Sequence, residues 1–302
     1  MIPARFVTAW FPHAQWRSMA QVEQDLLLVQ AMHSIFTDSF LSNHVAMRGG
    51  TVLHKVHLAP AMRYSEDIDL VRVTDCPPDE LRRALQRVLK PILGELRARP
   101  VATVALAVRN TVRASTLMRL AYSYPPAFQP PGTMGIKIEV NLNEPASYLP
   151  LITHALALPP VFATVPQSFP AAARRAALPA PVTSVPIRTY ELDELVATKT
   201  RALLQRMHGR DLYDLAILHQ RATDPVAPVA LDPARAMQLL NRYLAAEGSA
   251  AETRVSANTK LNSHLASSRF FADMSSLLPT GQQFDPAVAA AAVRAYFFTH
   301  LL

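Results

Sequence analysis

Residues 47–73, MRGGTVLHKVHLAPAMRYSEDIDLVRV, hold the two features on which the reading of the whole chain turns. Gly49-Gly50-Thr51 lies between a short apolar run, His44 to Met47, and a helical pattern from Thr51 to Leu58, and predicts a tight turn opening a helix. Glycine lets backbone N–H groups approach a phosphate closely, and a helix N-terminus favours an anion. Asp67-Ile68-Asp69-Leu70-Val71 predicts a strand, in which alternate side chains share a face. Asp67 and Asp69 then stand side by side while Ile68 and Leu70 face the core. Two adjacent carboxylates repel unless a cation lies between them, and magnesium is held by one or two carboxylates together with substrate phosphates. A phosphate cradle followed by a carboxylate pair points to nucleotide chemistry. The bland alternative is a glycine turn followed by a strand with two solvated aspartates.

The chain around this stretch has 302 residues, half of them apolar, enough to bury a sizeable core in one large domain or two lobes. Lys and Arg number 30 against 23 Asp and Glu, a net charge of +7 that favours a polyanionic partner. The single cysteine, Cys76, excludes an internal disulfide and is not a zinc site by itself, which fits a reducing cytoplasm. No apolar run is long enough for a spanning helix, and no secretory signal pattern opens the chain, so no membrane is expected.

Taken in order, Gln15 to Phe40 carries Met19, Val22, Leu26, Val29, Met32 and Ile35 at helical spacing and predicts packed core helices. Lys55 shares a helix face with Thr51 and lies either near the phosphate turn or in solvent. Asp79 to Arg99 predicts a long amphipathic helix whose arginines form a solvated or RNA-touching face. Val101 to Arg109 and Thr111 to Tyr124 read as strands with a turn near Asn110, and Pro125 to Gly132 as a loop. Met134 to Leu142 alternates again: Ile136, Ile138, Val140 and Leu142 face inward, while Lys137, Glu139 and Asn141 share the other face. Glu139 is thus a third carboxylate if the two strands are neighbours, or an ordinary exposed residue of an edge strand. Pro145 to Pro186 is proline-rich and reads as loop, with a low-complexity alanine–arginine piece at Ala171 to Ala177 and disorder expected over Phe169 to Pro181.

Glu191 to Met207 predicts a helix in which Lys199 falls within the apolar stripe of Leu192, Leu195, Val196, Leu203 and Met207. Desolvating an ammonium is costly, so Lys199 either pairs with a structural carboxylate or points into a polar cleft and holds a phosphate. His208-Gly209-Arg210-Asp211-Leu212-Tyr213-Asp214-Leu215 then closes one helix, with Gly209 suited to the C-cap, and opens the next with Asp211 in its first turn. Capping alone accounts for Asp211. Pro233 to Leu302 predicts three or four further helices.

The order and spacing of G-G-T and R-x-S-x-D-I-D-L resemble the first motif of the AbiEii/AbiGii toxin family. These are nucleotidyltransferases of the DNA polymerase β-like superfamily, the toxin halves of bacterial type IV toxin–antitoxin and phage-abortive systems. Lys137-Ile138-Glu139, Thr198-Lys199 and Arg210-Asp211 with Asp214 match its later motifs in order, from Met47 to Leu215. The resemblance implies an α/β (α+β) fold: a mixed sheet flanked by helices over residues 1–188, and a mostly helical lobe over 189–302 that completes the active-site cleft. It implies Asp67, Asp69 and Glu139 as ligands of two Mg2+ ions, with Glu139 a metal ligand or general base, and Lys199 and Asp211 as further catalytic residues. Gly49, Gly50, Thr51, Lys55, Arg63, Ser65, Lys137 and Arg210 are implied to bind the nucleotide. The implied reaction moves NMP from an NTP to an RNA acceptor, the tRNA 3′ end, blocking translation and growth, with a cognate antitoxin as partner. Two alternatives remain: transfer of NMP or phosphate to a protein hydroxyl, and a non-catalytic nucleotide-binding partner of an antitoxin.

Overall fold

The computed structural model describes residues 2–93, 101–106, 115–124, 126–128, 134–144, 146–162, 183–272 and 274–302. The expected helical residues 94–99, the strand residues 107–114 with Asn110, the loop residues 129–132 and the stretch Phe169 to Pro181 lie outside these. The chain divides into two compact units. The first comprises Met1–Val56, Tyr64–Ala146 and Ile152–Thr189; the second comprises His57–Arg63, Ser147–Leu151 and Tyr190–Leu302.

In the first unit, a short helix α1 (Ala4–Trp10) precedes α2 (Met19–Thr37), which starts where the Ser18 side chain accepts from the Gln21 N–H. α2 is buried on nearly every side, its apolar and polar residues alike. Val22, Leu26, Leu28, Met32 and Ile35 are fully buried. Among its buried polar groups, Glu23 accepts from the Ala127 N–H (2.7 Å), and Gln24 donates to the Gly135 carbonyl (2.6 Å). After a turn of helix, α3 (Leu41–His44), the sheet begins.

Seven strands build one sheet: β1 (Val45–Arg48), β2 (Asp67–Arg72), β3 (Val101–Leu106), β4 (Ser115–Tyr124), β5 (Met134–Asn141), β6 (Ile152–Ala157) and β7 (Ser184–Thr189), in the order β3-β4-β5-β2-β1-β7-β6. β2 runs parallel to β5 and β1 parallel to β7, while the other neighbours are antiparallel. The sheet is therefore mixed, and helices flank it. Between β1 and β2 lie α4 (Gly49–Val52) and a wider π turn (Leu53–His57), and α5 (Pro78–Leu93) follows β2 and packs on α2. The α5 arginines are partly engaged: Arg82 donates to Asp79 (3.1 Å) and Arg87 to Asp38 (2.7 Å).

Two strands occupy the stretch expected to be loop, a correction with a physical reason. Only Leu156 of β6 is buried, so that strand shows little alternation, and Pro186 interrupts β7. The ladder nevertheless accommodates the proline. Leu158 N–H donates to the Thr183 carbonyl (2.9 Å), and alternation from there leaves the Ala155/Pro186 pair at a position without hydrogen bonds.

The second unit is helical beyond Tyr190: α6 (Leu192–Gln205), α7 (Gly209–Ala222), α8 (Pro233–Ala246), α9 (Arg254–Leu265), the single turn α10 (Met274–Leu277) and α11 (Pro286–Tyr296). Asp232-Pro233 and Asp285-Pro286 each place a capping carboxylate before a proline at the first helical position. Gly209 differs from the expectation of a C-cap. α6 ends at Gln205 with Arg206 extended, and Gly209 is instead the first residue of α7. A Cβ there would lie 2.6 Å from the Phe270 carbonyl oxygen, so close packing rather than a left-handed turn demands the glycine. Among the described residues no helix is long and apolar enough to cross a membrane.

Candidate active site

Alternation along β2 buries Ile68 and Leu70 and leaves Asp67 and Asp69 half-buried on the opposite face. β5 does the same with Ile136, Ile138 and Val140 beneath Lys137 and Glu139. The parallel register sets Asp67 beside Lys137 and Asp69 beside Glu139. Antiparallel pairing adds Arg48 of β1 opposite Asp69 and Arg119 of β4 opposite Glu139. Directly paired residues share a face. Four adjacent strands thus present three carboxylates and three cations on one polar surface of the first unit.

The charges are interlocked. Lys137 Nζ lies 3.5 Å from Asp67 Oδ1, Arg119 Nε donates to Glu139 Oε1 at 2.6 Å, and Arg48 pairs with Glu144. Burial pushes the Asp67 carboxyl above its ordinary range; Lys137 works against that, while Asp69 and Glu139 add to it. Crowded acids of this kind are relieved by a cation. The residues fit magnesium in one respect: Asp67 and Asp69 offer the one or two carboxylates that this ion takes when substrate phosphates complete its shell. Among the described residues, no group of three or more His, Cys, Asp or Glu side chains is assembled as a metal cage. Glu139, the expected third ligand, is turned to Arg119.

The glycine turn lies directly against this pair. Gly49 has φ +83°, a conformation that side chains disfavour, and a Cβ on it would come within 2.0 Å of Asp69 Oδ2. Thr51 and Ser65 hydrogen-bond through their hydroxyls, 2.6 Å apart, and Thr51 also donates to the Asp67 carbonyl. Gly50 and Thr51 are buried, so the Thr51 hydroxyl ties the turn to the start of β2. Lys55, on the π turn, is nearly covered and paired with Asp25 of α2. It is therefore not the solvated lysine of the bland reading. Its ammonium anchors the turn to the core helix.

The remaining expected residues belong to the second unit. Arg63 is buried and forks onto Asp214 with Nε and Nη2 at 2.6 and 2.8 Å. Lys199 lies 2.7 Å from Asp214 Oδ2 and 3.3 Å from Asp211 Oδ1. Arg206 grips Asp211 at 2.8 and 3.0 Å. Burial alone would raise Asp211, but Lys199 and Arg206 outweigh it and hold its carboxyl below the usual range. Of the two expectations for Lys199, the geometry is that of an ammonium paired with carboxylates. Arg210 stands half-buried in the first turn of α7, next to Asp211.

Three residues at these sites are given no role of their own by the sequence. Asp214 follows Asp211 by three positions, so helical spacing already places both on one face. Arg119 stands out in β4 only through the alternation of Met118, Leu120 and Tyr122, which are buried, with Arg119 and Ala121 between them. Asp25 carried no signal, because α2 has no polar face from which to read it.

A family model described as the nucleotidyl transferase AbiEii toxin of a type IV toxin–antitoxin system matches residues 30–294. The structure is similar to MenT4, a nucleotidyltransferase toxin from Mycobacterium tuberculosis H37Rv, with a TM-score of 0.61 at 16% identity over 99% of this chain and 90% of that one. It is also similar to JHP933 from Helicobacter pylori, with a TM-score of 0.50 at 12% identity over 94% of this chain and 92% of that one. Identities this low show a shared fold. The search of curated proteins returned no match. With a family model spanning most of its length, the chain belongs to the AbiEii nucleotidyltransferase toxins of type IV toxin–antitoxin systems.

Proposed function

We propose that this toxin is a metal-dependent nucleotidyltransferase that moves an NMP unit from an NTP to the 3′ end of an RNA, with tRNA as the acceptor, and so blocks translation. The observation that carries the reading is the Asp67/Asp69 pair lying against the Gly49 turn, with Glu139 in register on the adjacent strand. In the reaction the acceptor hydroxyl oxygen bonds to the α-phosphorus of the NTP, the bond from that phosphorus to the β-phosphate bridge breaks, and pyrophosphate leaves. Asp67 and Asp69 would hold magnesium, which when bound neutralises phosphate charge and lowers the pKa of the hydroxyl. The protein's own task is positioning and charge. Gly49 leaves room for the Asp69 carboxylate, Thr51 and Ser65 fix the turn to β2, and Arg48, Arg119 and Lys137 supply positive charge on the same face. Glu139 would complete the metal site or accept the hydroxyl proton. The excess of 30 basic over 23 acidic residues supports a polyanionic acceptor.

The test is incubation with total tRNA and each α-labelled NTP separately. Label enters tRNA with wild type and not with Asp69→Ala; equal labelling by that variant refutes the assignment. Transfer of a γ-label instead would establish a phosphoryl transferase. Nucleotide binding with no turnover on RNA or protein would leave a binding partner of an antitoxin.

A further inference from the structure

The polar face of the sheet carries its own substitutes for a metal. We propose that Lys137 and Arg119 are internal counter-ions: Lys137 occupies the place beside Asp67 that a divalent ion takes, Arg119 holds Glu139 apart from the aspartates, and arrival of a polyphosphate draws Lys137 off, so that cation and polyphosphate bind cooperatively. The inference rests on the aspartate pair being the cation site proposed above.

Three carboxylates on two neighbouring strands repel one another at neutral pH. Asp69 and Glu139 are directly paired, and Asp67 is two residues from Asp69 on the same face. The protein meets this repulsion with Lys137 at 3.5 Å from Asp67 and Arg119 at 2.6 Å from Glu139. The two cations suit different tasks. A lysine ammonium is a point charge on a flexible stem, and Lys137 is 52% exposed, so its pairing is one that solvent and ions compete for. An exposed pair of this kind changes affinities by only about two- to fivefold, enough to balance the face and weak enough to be displaced. A divalent ion alone must evict Lys137 and gives it no new partner. A polyphosphate entering with the ion gives the freed ammonium an anion to bind. Cation and polyphosphate therefore help each other, and by linkage the help is reciprocal.

The experiment measures Mn2+ alone binding to the intact chain by electron paramagnetic resonance of the free ion, and binding of the Mn2+–tripolyphosphate complex by calorimetry. Tripolyphosphate stands for the part that all NTPs share. Lys137→Met is expected to bind Mn2+ alone about two- to fivefold more tightly than wild type and the tripolyphosphate complex more weakly by a similar factor. Arg119→Met, which frees Glu139, is expected to tighten Mn2+ alone as well. A merely structural lysine would weaken both ligands or neither, so opposite signs mark the proposed role. Unchanged or weaker Mn2+ binding by Lys137→Met overturns the inference and leaves the aspartate site standing. Equal Mn2+ binding by wild type and an Asp67→Asn/Asp69→Asn double variant overturns both, because the ion then binds elsewhere.

Discussion

The charge network of the second unit makes an asymmetric prediction. The pairs among Arg63, Lys199, Arg206, Asp211 and Asp214 join three cations to two carboxylates, and both carboxylates are fully buried. Asp214→Asn keeps the shape and removes one charge, leaving Arg63 and Lys199, 3% and 8% exposed, without their shared anion. Removing one partner of a buried pair costs about 3–5 kcal/mol, a large fraction of a total stability of roughly 5–15 kcal/mol. At about 2–4 °C per kcal/mol, Tm falls by roughly 6–20 °C. Lys199→Met behaves differently. It leaves Asp214 with Arg63 and Asp211 with Arg206, each still in a forked pair, and fills the site with a side chain of similar length. Its expected cost is about 1–2 kcal/mol. Thermal and urea unfolding followed by circular dichroism compare the two. If Asp214→Asn melts within about 1 kcal/mol of wild type, or if Lys199→Met is the costlier change, the reasoning from buried charge balance fails.

Three further outcomes follow from the same geometry. Gly49→Ala forces a side chain into a left-handed backbone and against the Asp69 carboxylate, so it should cost about 1–3 kcal/mol and weaken Mn2+ binding, checked by melting and by titration. Asp211 is held below its ordinary value of 3.8, so its contribution to stability is complete above that pH and is lost as pH falls from 3.8 toward the lower folded value; urea unfolding from pH 6 to 3 should show this slope, reduced in Asp211→Asn. Asp67 is shifted the other way, so its ionised form carries a penalty in the fold at neutral pH that disappears below 3.8; Asp67→Asn should raise stability at pH 7 while abolishing transfer, and the gain should vanish in acid.

The residues that were legible in the sequence are those whose placement is a local matter. Asp67 with Asp69, and Lys137 with Glu139, are separated by two positions in runs of alternating apolar residues, so the strand period alone puts each pair on one face. That the two strands are neighbours, in the register that sets Asp69 beside Glu139, is a tertiary fact that the pattern allowed and did not contain. β6 and β7 were hidden because one shows little alternation and the other carries a proline whose harmless position depends on the ladder around it. Asp25 was hidden by the reverse condition: α2 is buried all round, and a helix without an exposed face gives no direction to its polar residues.

Lys199 shows where the boundary runs. Its place in the apolar stripe of α6 announces a buried charge, and a buried charge must have a counter-charge. The period of the helix identifies that need without identifying what meets it. The answer lies nearby, in Asp211 and Asp214, which follow within the next helix and share one face of it. Asp214 is shared with a second cation, Arg63, which reaches it from 151 positions away and brings the segment His57–Arg63 into the helical unit, although it precedes β2 in the chain. Arg63 enters the nucleotide set through the R-x-S-x-D-I-D-L motif alone, which carries no information about its partner in the fold. Its fork onto a buried aspartate makes it part of the frame on which Lys199 is held.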